Sequence, residues 1–127
     1  MDPQPTTAEA DRPTVLADTD DLVQELSSAA PGAAWRLDQE PRDLDSNLVT
    51  LPAGGSIETH EGPELDVLVH VVAGSGTLHA EGEDLPLVPG RILWLPKTSR
   101  RGFTAGPDGL AWLTVHRRKP GLSIGRR

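Results

Sequence analysis

After Ala34 the chain is written largely in a period of two. Val67, Val69 and Val71 interleave with Leu68, His70 and Val72, and comparable short runs recur as far as His116. A period of two sends successive side chains to opposite faces of a strand. The predicted strands are Ala34–Leu37, Leu44–Leu51, Ser56–His60, Asp66–Val72, Thr77–Ala80, Asp84–Val88, Ile92–Leu95, Gly102–Thr104 and Leu110–His116. Between them stand Pro-Ala-Gly-Gly, Glu-Gly-Pro, Ala-Gly-Ser-Gly, Glu-Gly-Glu, Pro-Gly, Pro-Lys-Thr and Gly-Pro-Asp-Gly, all rich in residues that favour turns. Eight or nine short strands punctuated in this way predict an all-β sandwich or barrel.

The start of the chain follows other rules. Residues 1–16 are polar, Pro-containing and aperiodic, which predicts a disordered tail. Next, Asp18 or Thr19 can cap a helix, Asp20 and Asp21 crowd its first turn, and Leu22, Leu26 and Ala29 share a face. Pro31-Gly32 ends it, so a short amphipathic helix is expected over about residues 19–29. The last residues, 121–127, read as a basic, peripheral tail. One domain over residues 17–120 is expected, with its barrel over about 34–116; 127 residues leave no room for a second.

Composition narrows the chemistry. The absence of Cys excludes disulfides, thiolate metal sites and a Cys nucleophile. A net charge of -7 argues against nucleic acid or an anionic membrane as partner. No run of about 18 apolar residues exists to span a bilayer, and the acidic, Pro-containing start does not resemble a signal peptide. The expected location is therefore the cytoplasm. Charge is segregated: residues 46–90 hold seven acids and no base, whereas residues 91–127 hold nine bases and one acid. Neighbouring strands that neutralise one another would explain this, as would a cationic pocket of Arg100, Arg101, Arg117, Arg118 and Lys119. The only aromatics are Trp35, Trp94, Phe103 and Trp112, so the core must be mainly aliphatic. No dinucleotide fingerprint, phosphate loop, nucleophile elbow or zinc-finger spacing is present.

From Gly54 onward the spacing resembles that of the cupin superfamily. Gly54 is followed by five residues and His60, and Gly74 closes the first motif; Gly90 opens the second and is followed by five residues and Pro96. Fifteen residues separate the two motifs, a spacing similar to that of small single-domain cupins. The resemblance covers about residues 44–116 and implies a double-stranded β-helix, or jelly-roll, barrel, here with a short N-terminal helix. It also implies where a divalent metal would be held, by two His and a Glu from the first motif and a His from the second. These positions fall on His60, Gly62, Val67 (beside Asp66) and Arg101, and the trailing Asn of the second motif falls on Ala105. One ligand of four is kept. Gly and Val offer no side-chain donor, and Arg repels a cation. No cofactor is therefore expected at the usual position.

Candidate roles follow from these placements. His60 should stand at the barrel mouth, where an imidazole suits acid/base catalysis. Arg101 should share that mouth, either clamping a carboxylate or phosphate or pairing with Glu58. Glu58, Asn47, Val69, Phe103 and Trp112 are the further candidates for binding a substrate, and Val67 and Val71 for walls. Asn47 would need to lie opposite His60. His70 should face outward, toward solvent or a second copy, and His79 should be solvated or lightly packed.

Three functions compete. The first is a cupin barrel, without the usual metal, that binds a small anionic organic molecule. The second is a metalloenzyme (dioxygenase, isomerase or lyase) with iron, zinc, manganese or nickel held by His60, His116 and a carboxylate from Glu58, Glu64 or Asp66. The third is a non-enzymatic regulatory or sensory module. A homodimer through the apolar helix near the start and the outward Leu68, His70 and Val72 is expected with each.

Overall fold

The computed structural model describes residues 12–119. The tail expected at 121–127 lies outside the described residues, as do residues 1–11 of the N-terminal one. Residues 12–16 are exposed and carry no helix or strand. One α-turn, α1 (Thr19–Leu22), and a 3-10 turn at Leu26–Ser28 replace the ten-residue helix expected there. Glu25 stands between them at φ 55, and the Asp18 side chain makes no capping bond. A helix nucleus is costly and needs an apolar stripe to hold it. Here only Leu26 is buried, so two isolated turns suffice.

Seven antiparallel strands follow: β1 (Gly32–Arg36), β2 (Leu44–Leu51), β3 (Ser56–Glu61), β4 (Val67–Ala80), β5 (Glu83–Leu87), β6 (Ile92–Leu95) and β7 (Arg100–Arg117). Two of the expected turns are not turns. Ala-Gly-Ser-Gly lies inside β4, and Gly-Pro-Asp-Gly lies inside β7, so nine short strands become seven. Both sites carry register shifts instead. Between Gly74 and Gly76 on β4, and between Leu110 and Ala105 on β7, the β7 side holds three extra residues. Such bulges bend a strand without ending its pairing.

The two long strands organise everything else. β7 pairs with β3 along its first half and with β2 along its second, and with β4 along both. β4 in turn pairs with β6 at its start and with β5 at its end. Each long strand therefore belongs to both walls, and the sheet curls on itself around a core that includes Leu51, Val71, Leu78, Leu87 and Leu110. At the bend the backbones of β4 and β7 touch. Gly74 has φ 77, and a Cβ there would fall on the carbonyl oxygen of Gly109. Both the conformation and the space demand glycine.

On β4 the expected alternation holds. Val67, Val69 and Val71 are buried, while Leu68 and His70 are exposed on the outer face beside their partners Trp94 and Ile92. The segregated charges meet only locally. Arg118 forks onto Glu40 at 2.7 and 2.9 Å, and Arg42 joins Glu40 and Asp45. These pairs hold the β1–β2 connection to the end of β7, and they hold the Glu40 carboxyl below its ordinary range, chiefly through the Arg118 hydrogen bond. The five-cation pocket does not form, since Arg100, Arg117 and Lys119 are exposed and Arg118 pairs with Glu40. No helix of the described residues is long and apolar enough to cross a membrane.

Candidate functional site

A cavity of about 230 Å³ opens at one end of the barrel. β7 supplies five of its lining residues: Arg101 and Phe103 from its first half, Trp112, Thr114 and His116 from its second. Period-two alternation aims each set inward, and the bulged Gly106–Gly109 segment between them resets the parity. Asn47 and Val49 (β2), Ile57 and His60 (β3), Val67 and Val69 (β4) and Leu95 (β6) complete the wall. Phe103 and Trp112 stack with ring centroids 4.2 Å apart and planes 11° from parallel. The lining is thus mainly apolar, with five polar side chains: Arg101, His60, His116, Asn47 and Thr114.

A bulge decides which residues of β3 reach this cavity. Ile57 is opposite Phe103 and His60 is opposite Arg101, so three steps on β3 match two on β7. The extra residue turns both Ile57 and His60 inward and leaves Glu58 exposed. Glu58 therefore does not share the face of His60, as strict alternation had predicted, and it does not pair with Arg101. It contributes its backbone instead: the Glu58 carbonyl accepts a hydrogen bond from Nδ1 of His60 at 2.9 Å. Nδ1 of His116 likewise donates to the Arg117 carbonyl at 2.8 Å. A carbonyl only accepts, so each neutral ring keeps its proton on Nδ1 and its lone pair on Nε2.

Arg101 is only 5% exposed. Its Nη2 donates to the Pro96 carbonyl at 3.0 Å and to Ser99 Oγ at 2.8 Å. Its Nε is buried without a partner, and no carboxylate among the described residues pairs with it. Burial alone presses its pKa below the ordinary guanidinium value. The loop that fixes it, Pro96–Ser99, is laced to the loop before β4. Thr98 N–H donates to the Pro63 carbonyl, Gly62 N–H to the Ser99 carbonyl, and Lys97 N–H to Asp66 Oδ1. Thr98 sits at φ 62, the left-handed region, which a β-branched residue rarely adopts.

The other expectations divide. Asn47 lies opposite Thr114, not His60, because β2 pairs with β7 rather than with β3; its N–H donates to Thr114 Oγ1 at 3.2 Å. Val71 is fully buried in the core behind the cavity. Glu64 and Asp66 are exposed and outside the lining, Asp66 being occupied with the Lys97 amide. A triad of His60, His116 and one of these carboxylates is therefore not assembled, and no three His, Asp or Glu converge among the described residues. His79 is more engaged than expected, bridging Asp84 Oδ1 (3.0 Å) and Thr104 Oγ1 (2.7 Å) away from the cavity. Sequence reasoning missed Thr114, although it lies two residues from both Trp112 and His116. It also missed Ile57, which only the bulge turns inward. A larger cavity of about 310 Å³, between residues 14–22 and the outer face at Trp35, Leu48 and Leu113, contains no ionisable side chain and so offers no comparable chemistry.

No protein-family profile and no curated protein matches the chain. Solved structures do. A protein of Klebsiella pneumoniae with a double-stranded β-helix domain is 20% identical at a TM-score of 0.66, covering 83% of this chain and 90% of that one. A cupin-2 domain protein of Shewanella frigidimarina is 17% identical at 0.61, covering 82% and 95%. The DMSP lyase DddQ of Ruegeria pomeroyi is 21% identical at 0.56, covering 64% of this chain, which spans only 41% of the lyase. At such identities the likeness speaks for architecture and for no reaction. Seven antiparallel strands curled around a β4–β7 spine, and neighbours of this kind, give the chain the cupin fold, a single RmlC-like double-stranded β-helix barrel.

Proposed function

We propose that the barrel binds a small organic anion, with the Arg101 guanidinium as its anchor and His60 as the group that moves a proton on it. The observation that carries this reading is a buried arginine, one of the residues lining a cavity, with no counter-charge from the described residues. An uncompensated buried charge is expensive, and a ligand carboxylate or phosphate supplies what is missing. About 230 Å³ is less than the ~300 Å³ lower bound of drug-sized sites, so the ligand is small. Stacked Phe103 and Trp112 would take its apolar part, while Asn47 and Thr114 offer polar contacts. With Nδ1 tied to a carbonyl, Nε2 of His60 is the base that the ligand would meet.

The divalent ion that the fold suggests does not fit these residues. Position 62 has no side chain, position 67 is a buried valine, and the guanidinium occupies the wall where an ion would need donors.

The test is calorimetry with acetate, benzoate, succinate and inorganic phosphate on the wild type and on Arg101→Met. Removing a buried charge anchor costs about 2 kcal/mol or more, so affinity for the best anion should fall at least ~30-fold. Unchanged affinity refutes the anchor. His60→Gln should retain binding and, with pyruvate, whose methyl protons lie α to a ketone, lose their exchange with D₂O, as read by NMR; exchange that persists at the wild-type rate removes His60 from the chemistry.

A further inference from the structure

Gly62 packs against Arg101, a residue of the cavity wall. A Cβ at Gly62 would fall within the guanidinium, against Nη1, Cζ and Nη2 of Arg101. All three nearest atoms belong to that one side chain, and Gly62 is not among the residues with a left-handed backbone. The guanidinium, rather than the main chain, is what a side chain here would have to displace, and burial and its hydrogen bonds oppose that move. Ser99 fixes both partners: its carbonyl accepts from Gly62 N–H at 3.0 Å, and its Oγ accepts from Arg101 Nη2 at 2.8 Å. A second bond from Nη2 to the Pro96 carbonyl completes the hold.

We propose that Gly62, Ser99 and Arg101 form a guanidinium seat that sets the charge preference of the cavity. Gly62 and Ser99 are its positioning residues. With the seat filled, the wall carries a fixed positive charge in the space that a side chain at 62 would need. A donor at 62 and the seated guanidinium at 101 thus compete for one space, so the cavity as built favours an anion over a metal ion. Changing both positions together converts one kind of site into the other. Gly62→His with Arg101→His places two imidazoles beside His60, the three-ligand, open-position arrangement that Zn²⁺ accepts.

The seat stands on packing alone, and its test is separate from that of anion binding. Thermal melts of Gly62→Ala, Arg101→Ala and the double variant form one arm. Gly62→Ala should lower Tm by about 5 °C in the wild type and by about 1 °C or less in Arg101→Ala. Additive shifts overturn the seat. Zn²⁺ alone is the probe in the second arm, with Co²⁺ absorption reporting the coordination. The double exchange, Gly62→His with Arg101→His, should take one Zn²⁺ per chain. At about a hundredfold excess over Kd the ion should raise its Tm by about 5 °C or more. Neither the wild type nor either single variant should take stoichiometric Zn²⁺. A wild type that does, or a folded double exchange that takes none, overturns the proposal. Should both arms succeed while the wild type ignores every anion, the seat stands and only the anion reading falls.

Discussion

Replacing Arg101 by Met should make the ligand-free protein more stable, although it removes the anchor of the proposed site. The guanidinium is 5% exposed and has no carboxylate partner among the described residues. Desolvating one such ion costs several kcal/mol even after relaxation. Its orphaned Nε adds about 1–3 kcal/mol. Against this stand two hydrogen bonds from Nη2, each contributing about 1.5–3 kcal/mol because the donor is charged. The balance is unfavourable by a few kcal/mol. Met keeps most of the apolar stem and carries no charge, so Arg101→Met should gain about 1–3 kcal/mol. In Tm that is roughly 4–10 °C for a domain of this size. Urea melts in a buffer free of carboxylates and phosphate would read it, with an unchanged m-value showing that the states compared are the same. A variant destabilised by more than about 1 kcal/mol would refute the reasoning, because the guanidinium would then be holding the Pro96–Ser99 loop rather than waiting for a ligand.

Three further outcomes are expected. Thr98→Gly should stabilise by up to about 1 kcal/mol, since relief of a left-handed β-branched residue outweighs the added chain entropy; a loss in denaturant melts would contradict the strain. Gly74→Ala should cost about 3 kcal/mol or more, or prevent folding, because a Cβ there meets the Gly109 carbonyl at φ 77; near-wild-type circular dichroism and melting would exclude so tight a crossing. Glu40→Gln should lower Tm at neutral pH and make no difference in acid. The folded carboxyl titrates below its ordinary value of 4.5, so its contribution is present above that value and is lost as pH falls through the lowered one; equal melting of the two proteins at neutral pH would contradict the pairing with Arg118.

The architecture was legible because it rests on local signals. Alternation at Val67–Val71 and glycine and proline at fixed spacings survive in a bare sequence, and Leu44–Leu51 and Ile92–Leu95 were bounded as observed. The cavity was legible in part: His60, Arg101, Asn47, Val69, Phe103 and Trp112 share it, and so does His116. Failures came where one residue of register matters. The bulge between Ile57 and His60 turned Ile57 inward and Glu58 outward, and no pattern in Ser-Ile-Glu-Thr-His marks it. Asn47 was assigned a partner from sequence adjacency, whereas the partner comes from a strand more than sixty residues away. The helix failed for a different reason. Its caps and acids were favourable, but too little apolar surface was available to hold it.

The breadth of β7's pairing also bears on how the molecule is made. β2, β3 and β4 all bind to this one strand, and it contributes five of the cavity residues. During synthesis from the amino end, β3 has no partner until Arg100–Thr104 has emerged, and β2 has only β1 on one side until Leu110–Arg117 follows. Native contacts of such long sequence separation are slow to form, on the order of milliseconds to seconds. Until then the open edges are available to any other strand nearby. Barrel and cavity therefore mature in a single late event. Nascent chains should depend on chaperones during that interval, and a chain cut short before β7 should have neither a closed fold nor a partial site.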